Sequence, residues 1–407
     1  MAHILIISDN PEYLVNLLKL DKANTCIISF DISNYKDRSD YVNTIKSIDV
    51  TDLKVVVFET LYTAPFAFLL RQMGYKNKFI IIPHINPYPL REFLDASLFD
   101  SCIMRGDLFI LGSEVSALIY KKLFYDINIF IIPTYGIDTE LYRKIGKVEA
   151  RNMLGLPMDH KILLYTGRLF PDKNIASIFA VYASLRKKFD NILLLLSNIK
   201  KADKYVDALL AKYGSDGVII KNYGFDSMPY VYSAADLFIT CSTSYFETFG
   251  RSPLEAISSG TPVIAPKWMS FTTTITPNSG ELIDVDFFDE TIYDGFSYAM
   301  VNLAEFRDAC ERALQNNIYA PSLRYDCTRE YAERLFKNVL SYTTNIADKS
   351  LEKRVQVKSQ IIYEILQSLN CVTTEDIFEF AIRFGQSTDQ KCFEEKLQKK
   401  LFYHLFK

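Results

Sequence analysis

Short apolar runs separated by helix-length segments set the frame of this chain. In the first third they read HILII, TCIISF, KVVVFE, KFIIIP, DLFIL and NIFIIP, without the polar alternation of a half-exposed strand. Strands that are apolar on both faces and too far apart for hairpins build a parallel sheet covered by helices on both sides. The pattern breaks at the polar, helix-prone YGIDTELYRKIGKVEARNMLGLP and restarts as KILLYT, NILLLL, GVIIKNYG, DLFIT and TPVIAP. This predicts two successive open α/β units joined near residues 143–149. A length of 407 residues agrees, because a single core rarely grows beyond about 300 residues.

After residue 330 the pattern is helical. REYAERLFKNVLSYTTNIA carries apolar residues at helical spacing, and Val355, Ile361, Ile362, Ile365, Leu366 and Leu369 line one face of the next segment. TTEDIFEFAIRFG runs from a Thr and acidic start to Gly385, which matches helix start and stop signals. The last stretch, KLQKKLFYHLFK, interleaves Lys396, Lys399, Lys400 and Lys407 with Leu397, Leu401, Phe402, Leu405 and Phe406. Such a pattern suits docking on an anionic membrane or on a second copy of the chain, and equally a helix packed on its own protein.

Charge and cysteine content narrow the partners. With 46 basic and 49 acidic residues the formal charge is -3, so nothing attracts nucleic acid in bulk. Seven scattered cysteines without a Cys-x-x-Cys pair suggest neither a disulfide framework nor a zinc knuckle, and reduced thiols point to a cytoplasmic protein. MAHILIISDN lacks the basic start and longer apolar region of a secretory signal. Apolar runs such as ILLLL fall far short of the roughly 20 residues of a spanning helix.

The chemistry concentrates in two stretches. DLFITCSTSYFETFGRSPLEAISSGTPVIAP reads as strand, loop, helix beginning near Pro253, turn and strand, which places its loop at a strand's carboxyl end. Gly250 allows a close backbone approach, and Arg251, Ser252 and Pro253 mark a helix start whose unpaired amides attract phosphate. Glu255, in the first turn, is placed to take a ribose diol, and Glu247, on the preceding loop, to take a group beyond the phosphates. The pair alone is also what an acidic helix start produces. YTGRLFPDKN ends another strand with Gly167, Arg168 and Lys173, two cations able to neutralise a diphosphate or simply a solvated charged turn.

With IIPTYGIDTELY, YTGRLFPDKN, YVYSAADLFITCSTSYFETFGRSPLEAISSGTPVIAP and NSGELID, the chain resembles the retaining glycosyltransferases of family four. The resemblance is specific over residues 130–285, thinner before them and absent from the helical tail. It implies an α/β GT-B fold, two facing Rossmann-like domains, with a C-terminal helical extension. The acceptor domain would span residues 1–145, the nucleotide-sugar donor domain 146–330, a closing helix returning to the first lobe 331–349 and a helical appendage 350–407.

By the same resemblance Arg168 and Lys173 bind the donor diphosphate, Glu247 the sugar hydroxyls and Glu255 the ribose, with Gly167, Thr248, Phe249, Gly250, Arg251 and Ser252 completing the cradle. His84, in IIPHINPYP, would donate to a sugar hydroxyl. On spacing alone a lone histidine at a strand end is a structural hydrogen-bonding group. No cofactor is implied beyond a UDP- or GDP-linked sugar as substrate, and the acceptor is a sugar, a lipid-linked group, a small molecule or a protein. The reaction needs no metal, since the cations stabilise the leaving diphosphate.

Three stretches depart from the family pattern. IISDNPEYL stands where a Gly-rich loop is usual, SNIKKADK at 197–204 where a nucleobase loop carries glycine, and Arg251 at a commonly aliphatic position. Asp284-Val285-Asp286 spells a DxD, which binds a divalent cation in the other large glycosyltransferase fold; its place after the donor site favours a solvated turn. The alternative to an enzyme is a catalytically silent GT-B binding or scaffold subunit.

Overall fold

The computed structural model describes residues 4–341 apart from 89, 105, 125–126, 198–202, 288–298 and 317, together with 364–367, 373 and 375–379. Two compact units divide the chain: Met1–Thr134 with Ala332–Lys407, and Tyr135–Tyr331.

In the first unit the six apolar runs become β1 (Ile4–Ser8), β2 (Thr25–Ser29), β3 (Val55–Glu59), β4 (Lys78–Ile82), β5 (Leu108–Leu111) and β6 (Asn128–Ile131). They pair in the order β2-β1-β3-β4-β5-β6, every pair parallel. Every residue of β3, Val-Val-Val-Phe-Glu, is buried, as a central strand covered on both faces requires. Ile6, Val57, Ile80 and Ile110 share a core with Ala332, Phe336 and Val339 of the helix Arg329–Ser341.

Part of the helical extension packs here as well. Phe378 is fully buried, with Phe68 at 5.0 Å and Tyr41 at 6.5 Å between ring centroids, and the Arg38 guanidinium lies 5.0 Å over its ring. Arg38 also pairs with Glu375 and Glu379. The basic and apolar stretch 396–407 lies outside the described residues.

The second unit repeats the design with β7 (Lys161–Thr166), β8 (Ile192–Ser197), β9 (Val218–Lys221), β10 (Leu237–Ile239), β11 (Val263–Pro266) and β12 (Gly280–Ile283). Its order is β12-β11-β10-β7-β8-β9, again all parallel. In each sheet one strand has its successor on one side and a later strand on the other: β1 lies between β2 and β3, and β7 between β8 and β10. Doubly wound sheets bind ligands in the crevice outside the strand carboxyl ends where the order reverses. Ser8 and Glu59 end the two strands at the first such point, and Gly167 and Thr240 follow the two strands at the second.

Asp284 and Asp286 border or lie in the strand Val285–Phe287, which pairs antiparallel with Ala299–Val301. The Asp284 side chain is 77% exposed and pairs with Lys267 at 3.2 Å, in keeping with a solvated edge. Among the described residues no three His, Cys, Asp or Glu gather as metal ligands, and no helix is long and apolar enough to cross a membrane.

Candidate active site

In the second unit the chain leaves β7 through Gly167, whose φ of +135° side-chain-bearing residues rarely adopt. A short 3-10 turn, Pro171–Lys173, then ends at Asn174 in the left-handed region, φ +52°. This aims Lys173 across to the loop after β10. Its Nζ donates to Glu247 Oε1 at 2.5 Å, and the Ser242 hydroxyl donates to the same oxygen at 2.8 Å. Both ion-pair partners are mostly buried, at 17% and 14% exposure. Lys173 and Glu247, picked out on two separate stretches of the sequence, are therefore brought together. Arg168 stays on its own loop, half-exposed, with Asp172 at 2.8 Å and the Phe170 ring at 5.5 Å.

The loop after β10 is a buried polar segment. Ser242, Thr243 and Ser244 are all buried, and a segment without regular structure must find its hydrogen bonds elsewhere. Thr243 Oγ1 donates to the Ala299 carbonyl at 2.6 Å, and the Trp268 indole to the Ser244 carbonyl at 2.8 Å. The Ser270 amide closes on the Glu247 carbonyl at 3.3 Å. Thr248, Phe249 and Ser252 are partly exposed beside it. Gly250 has φ +75°, and an added Cβ would stand 2.7 Å from the Phe271 ring, so only glycine fits there.

The helix that follows is Arg251–Ser258. It begins two residues ahead of the expected Pro253, which moves Glu255 from the first turn into the second. That shift puts Arg251 and Glu255 one turn apart on one face. Arg251 Nε donates to Glu255 Oε1 at 2.7 Å, and the Tyr232 hydroxyl donates to Oε2 at 2.6 Å. Tyr232 in turn shares a hydrogen bond with Thr166 at 2.8 Å. The Tyr142 phenol hydrogen-bonds Glu255 as well, so this buried carboxylate serves three side-chain donors. Burial and the Glu255 carboxylate raise the Tyr232 phenol well above its ordinary range, which keeps it a donor.

In the first unit His84 follows β4 in the left-handed region, φ +57°. Its Nε2 lies 2.7 Å from Oε1 of Glu59, which is fully buried. The Ser8 hydroxyl accepts the Asn10 amide at 2.8 Å and donates to Glu59 Oε2. Burial, and after it the Glu59 charge, hold Asp9 above the usual carboxylate range, while His84 opposes the shift. Sequence reasoning found His84 and the Ser8-Asp9-Asn10 turn but missed Glu59. Its signal was an acid closing an otherwise apolar strand, at the edge where sites form.

A second acidic group follows on the helix Leu90–Cys102. The Tyr62 hydroxyl donates to Glu92 Oε1 at 2.6 Å, and Arg91 Nε to Asp95 Oδ2 at 2.7 Å. Burial pushes Glu92 up to about 7 and Asp95 up to about 6.

Two doubly wound units, each with its polar constellation at the point of strand reversal, define the GT-B class. Structures of that class agree in fold. Sucrose-phosphate synthase from Thermosynechococcus elongatus matches with a TM-score of 0.62 and 18% identity, over 84% of this chain and 96% of that one. HepE of Anabaena, solved in complex with UDP and glucose, matches with a TM-score of 0.60 and 15% identity, over 84% and 97% of the two chains.

Residues 147–316 match the family model described as glycosyl transferases group 1. Among curated proteins, a D-inositol 3-phosphate glycosyltransferase of Acidothermus cellulolyticus is 27% identical over 56% of this chain and 52% of its own length. An alpha-monoglucosyldiacylglycerol synthase of Streptococcus pneumoniae is 34% identical over 53% of this chain and 47% of its own. The matched stretches thus span about half the length of these relatives. Over residues 147–316 the chain is thus similar to the group 1 glycosyl transferases, and its two doubly wound sheets agree with the fold of the solved structures.

Proposed function

We propose that the protein transfers a sugar from a UDP- or GDP-linked donor to an acceptor with retention at the anomeric carbon, the donor held by the second unit and the acceptor by the first. The observation that carries this reading is the Lys173–Glu247 pair at a strand-order reversal, beside the glycine-led start of the helix Arg251–Ser258 and inside the matched stretch 147–316. HepE, a fold neighbour, has been solved with UDP and with UDP-glucose, which supports a nucleotide sugar as the ligand class.

In this reading Arg168, Lys173 and the first amides of the helix meet the diphosphate. Lys173 has three donor hydrogens, so it can hold Glu247 and a phosphate oxygen together. Glu247 orients the sugar through its hydroxyls, and Glu255 takes the ribose. As the bond to the anomeric carbon breaks, charge grows on the leaving diphosphate, and fixed cations stabilise that charge more than they stabilise the bound donor. The acceptor's proton passes to the leaving diphosphate on the face of attack. Arg168 and Lys173 supply the positive charge, so a chelator is expected to leave the rate intact.

A panel of UDP- and GDP-sugars, followed by mass spectrometry of products with and without EDTA, tests the reading. The matching nucleoside diphosphate at 100 times its Kd should stabilise the protein by about 2.7 kcal/mol. Tight nucleotide binding without transfer or hydrolysis of any donor would favour the scaffold alternative. A strict need for magnesium or manganese would remove the metal-free mechanism.

The same nucleotide probes Glu255. Glu255→Gln should weaken bare nucleoside diphosphate by about 1.5–3 kcal/mol, the worth of a hydrogen bond to a charged acceptor, measured by calorimetry. Unchanged affinity would remove Glu255 from the ribose site.

A further inference from the structure

We propose that Trp268 is a positioning residue of the donor site, whose indole N–H holds the loop 244–250 in the shape that brings Glu247 to the donor sugar. Its role rests on the reading of Glu247 as the carboxylate that meets the sugar, and it adds to that reading a residue that touches no substrate itself.

A loop without regular structure keeps its shape through the partners of its backbone groups. Here the Ser244 carbonyl collects two of them, the Glu247 amide at 3.2 Å and the Trp268 indole N–H at 2.8 Å. The turn that carries Glu247 therefore closes on one oxygen, and the indole fixes where that oxygen stands. Two further contacts come from the same short segment after β11. The Ser270 amide donates to the Glu247 carbonyl at 3.3 Å, and the Phe271 ring fills the space in which a Gly250 Cβ would stand. Residues 268, 270 and 271 thus grip the loop at Ser244, Glu247 and Gly250, from the sugar end to the phosphate end of the proposed donor site.

The gripping segment is itself held under strain. Met269, between Trp268 and Ser270, has φ +43°, a left-handed conformation that a residue with a Cβ keeps only where its surroundings over-determine it. That turn brings the Trp268 side chain and the Ser270 amide, two residues apart, onto one loop. The Phe287 ring packs against the indole at 5.8 Å between centroids. With Trp268 only 4% exposed, the indole acts through the loop and not on a ligand. A tryptophan buried for its area alone would need a partner for its N–H anywhere within reach; this one spends it on the carbonyl that also receives the Glu247 amide.

The chain has one tryptophan, so its N–H can be removed without disturbing any other position. Trp268→Phe keeps an aromatic ring beside Phe287 and loses the donor. Biosynthetic replacement of the tryptophan by its benzothiophene analogue keeps the bicyclic shape and loses the same hydrogen, and it serves if Trp268→Phe fails to fold. In either protein kcat with the best UDP- or GDP-sugar should fall about ten- to a hundredfold, the range that a small misplacement near the reacting group produces. Donor KM should change less than about twofold. The Kd of that donor's bare nucleoside diphosphate should also change less than about twofold, since the indole holds the sugar end of the loop.

The loss should run through Glu247. On Glu247→Ala, removing the indole N–H should lower kcat further by less than about twofold, because groups that act as one unit are not additive. An equal fold-loss in both backgrounds would mark a structural role only and overturn the proposal, and so would full turnover without the N–H. A wild type that transfers sugar from no donor would overturn it together with the glycosyltransferase reading, whereas an active wild type with additive losses would overturn the positioning role alone.

Discussion

Lys173→Ala should lower kcat/KM by about 2–4 kcal/mol, or roughly thirty- to a thousandfold, because it removes a cation from the position where charge develops on the leaving diphosphate. A second loss is expected in the same variant. Glu247 is 14% exposed, and without Lys173 its charge keeps, among the described residues, the Ser242 hydroxyl as its side-chain hydrogen-bond donor. Breaking a buried pair from one side leaves an uncompensated charge and costs about 3–5 kcal/mol, with the lower end appropriate to partners that still touch water.

Arg168→Ala separates the two effects. Its side chain is 47% exposed, so solvent replaces it beside Asp172 with little cost in stability, while the loss in turnover should match that of Lys173→Ala. Adding Glu247→Gln to Lys173→Ala should restore stability, since the stranded charge is gone, and should restore no activity. Denaturation midpoints and steady-state kinetics on the four proteins read these outcomes. Unchanged turnover in Lys173→Ala and Arg168→Ala together would eliminate the phosphate site. A double variant no more stable than Lys173→Ala would show that Lys173 and Glu247 do not form the pair.

How much of this was legible beforehand depends on what burial does to a sequence. Strands β1 to β11 stand out as apolar runs, the central ones because parallel strands covered on both faces select them, and the fold class follows from their spacing. β12, Gly-Glu-Leu-Ile, escaped because a glycine and a glutamate leave it only two consecutive apolar residues, too short a run to declare itself. The helix at Arg251 was placed late, since Pro253 marks a first turn without fixing which of its residues opens it. Lys173 and Glu247 were legible as types at strand ends, whereas their ion pair needed the two loops to be placed together. Glu59 and Glu92 were illegible as site residues for a different reason. An acid's identity says nothing about its burial, and what makes these two unusual is an environment supplied by residues distant in sequence.

For Glu92 that environment makes stability depend on pH. The carboxyl accepts from Tyr62 on the 3-10 turn Leu61–Thr63. Tyr120, on the helix Glu114–Leu123, feels its charge, and Arg91 and Asp95 flank it on its own helix, with Tyr41 beside Arg91. Arg91 is already paired with Asp95, so two buried acids share one cation, and desolvation lifts Glu92 from 4.5 to about 7. A group whose folded value is raised binds its proton more tightly in the folded state. Its contribution is therefore complete below 4.5 and is lost as pH rises through about 7, an effect of about 3 kcal/mol at 1.36 kcal/mol per unit.

Glu92→Gln stays neutral throughout and should not lose this term. Between pH 4.5 and pH 8 the stability difference between variant and wild type should therefore move about 3 kcal/mol in the variant's favour, whatever fixed cost its new amide adds. Urea transitions followed by circular dichroism measure it, and the single Trp268 gives a separate fluorescence signal for the second unit, where no shift is expected. A difference that stays constant with pH, or one that appears equally in the Trp268 signal, would mean that Glu92 is not the buried proton-binding group of the first unit.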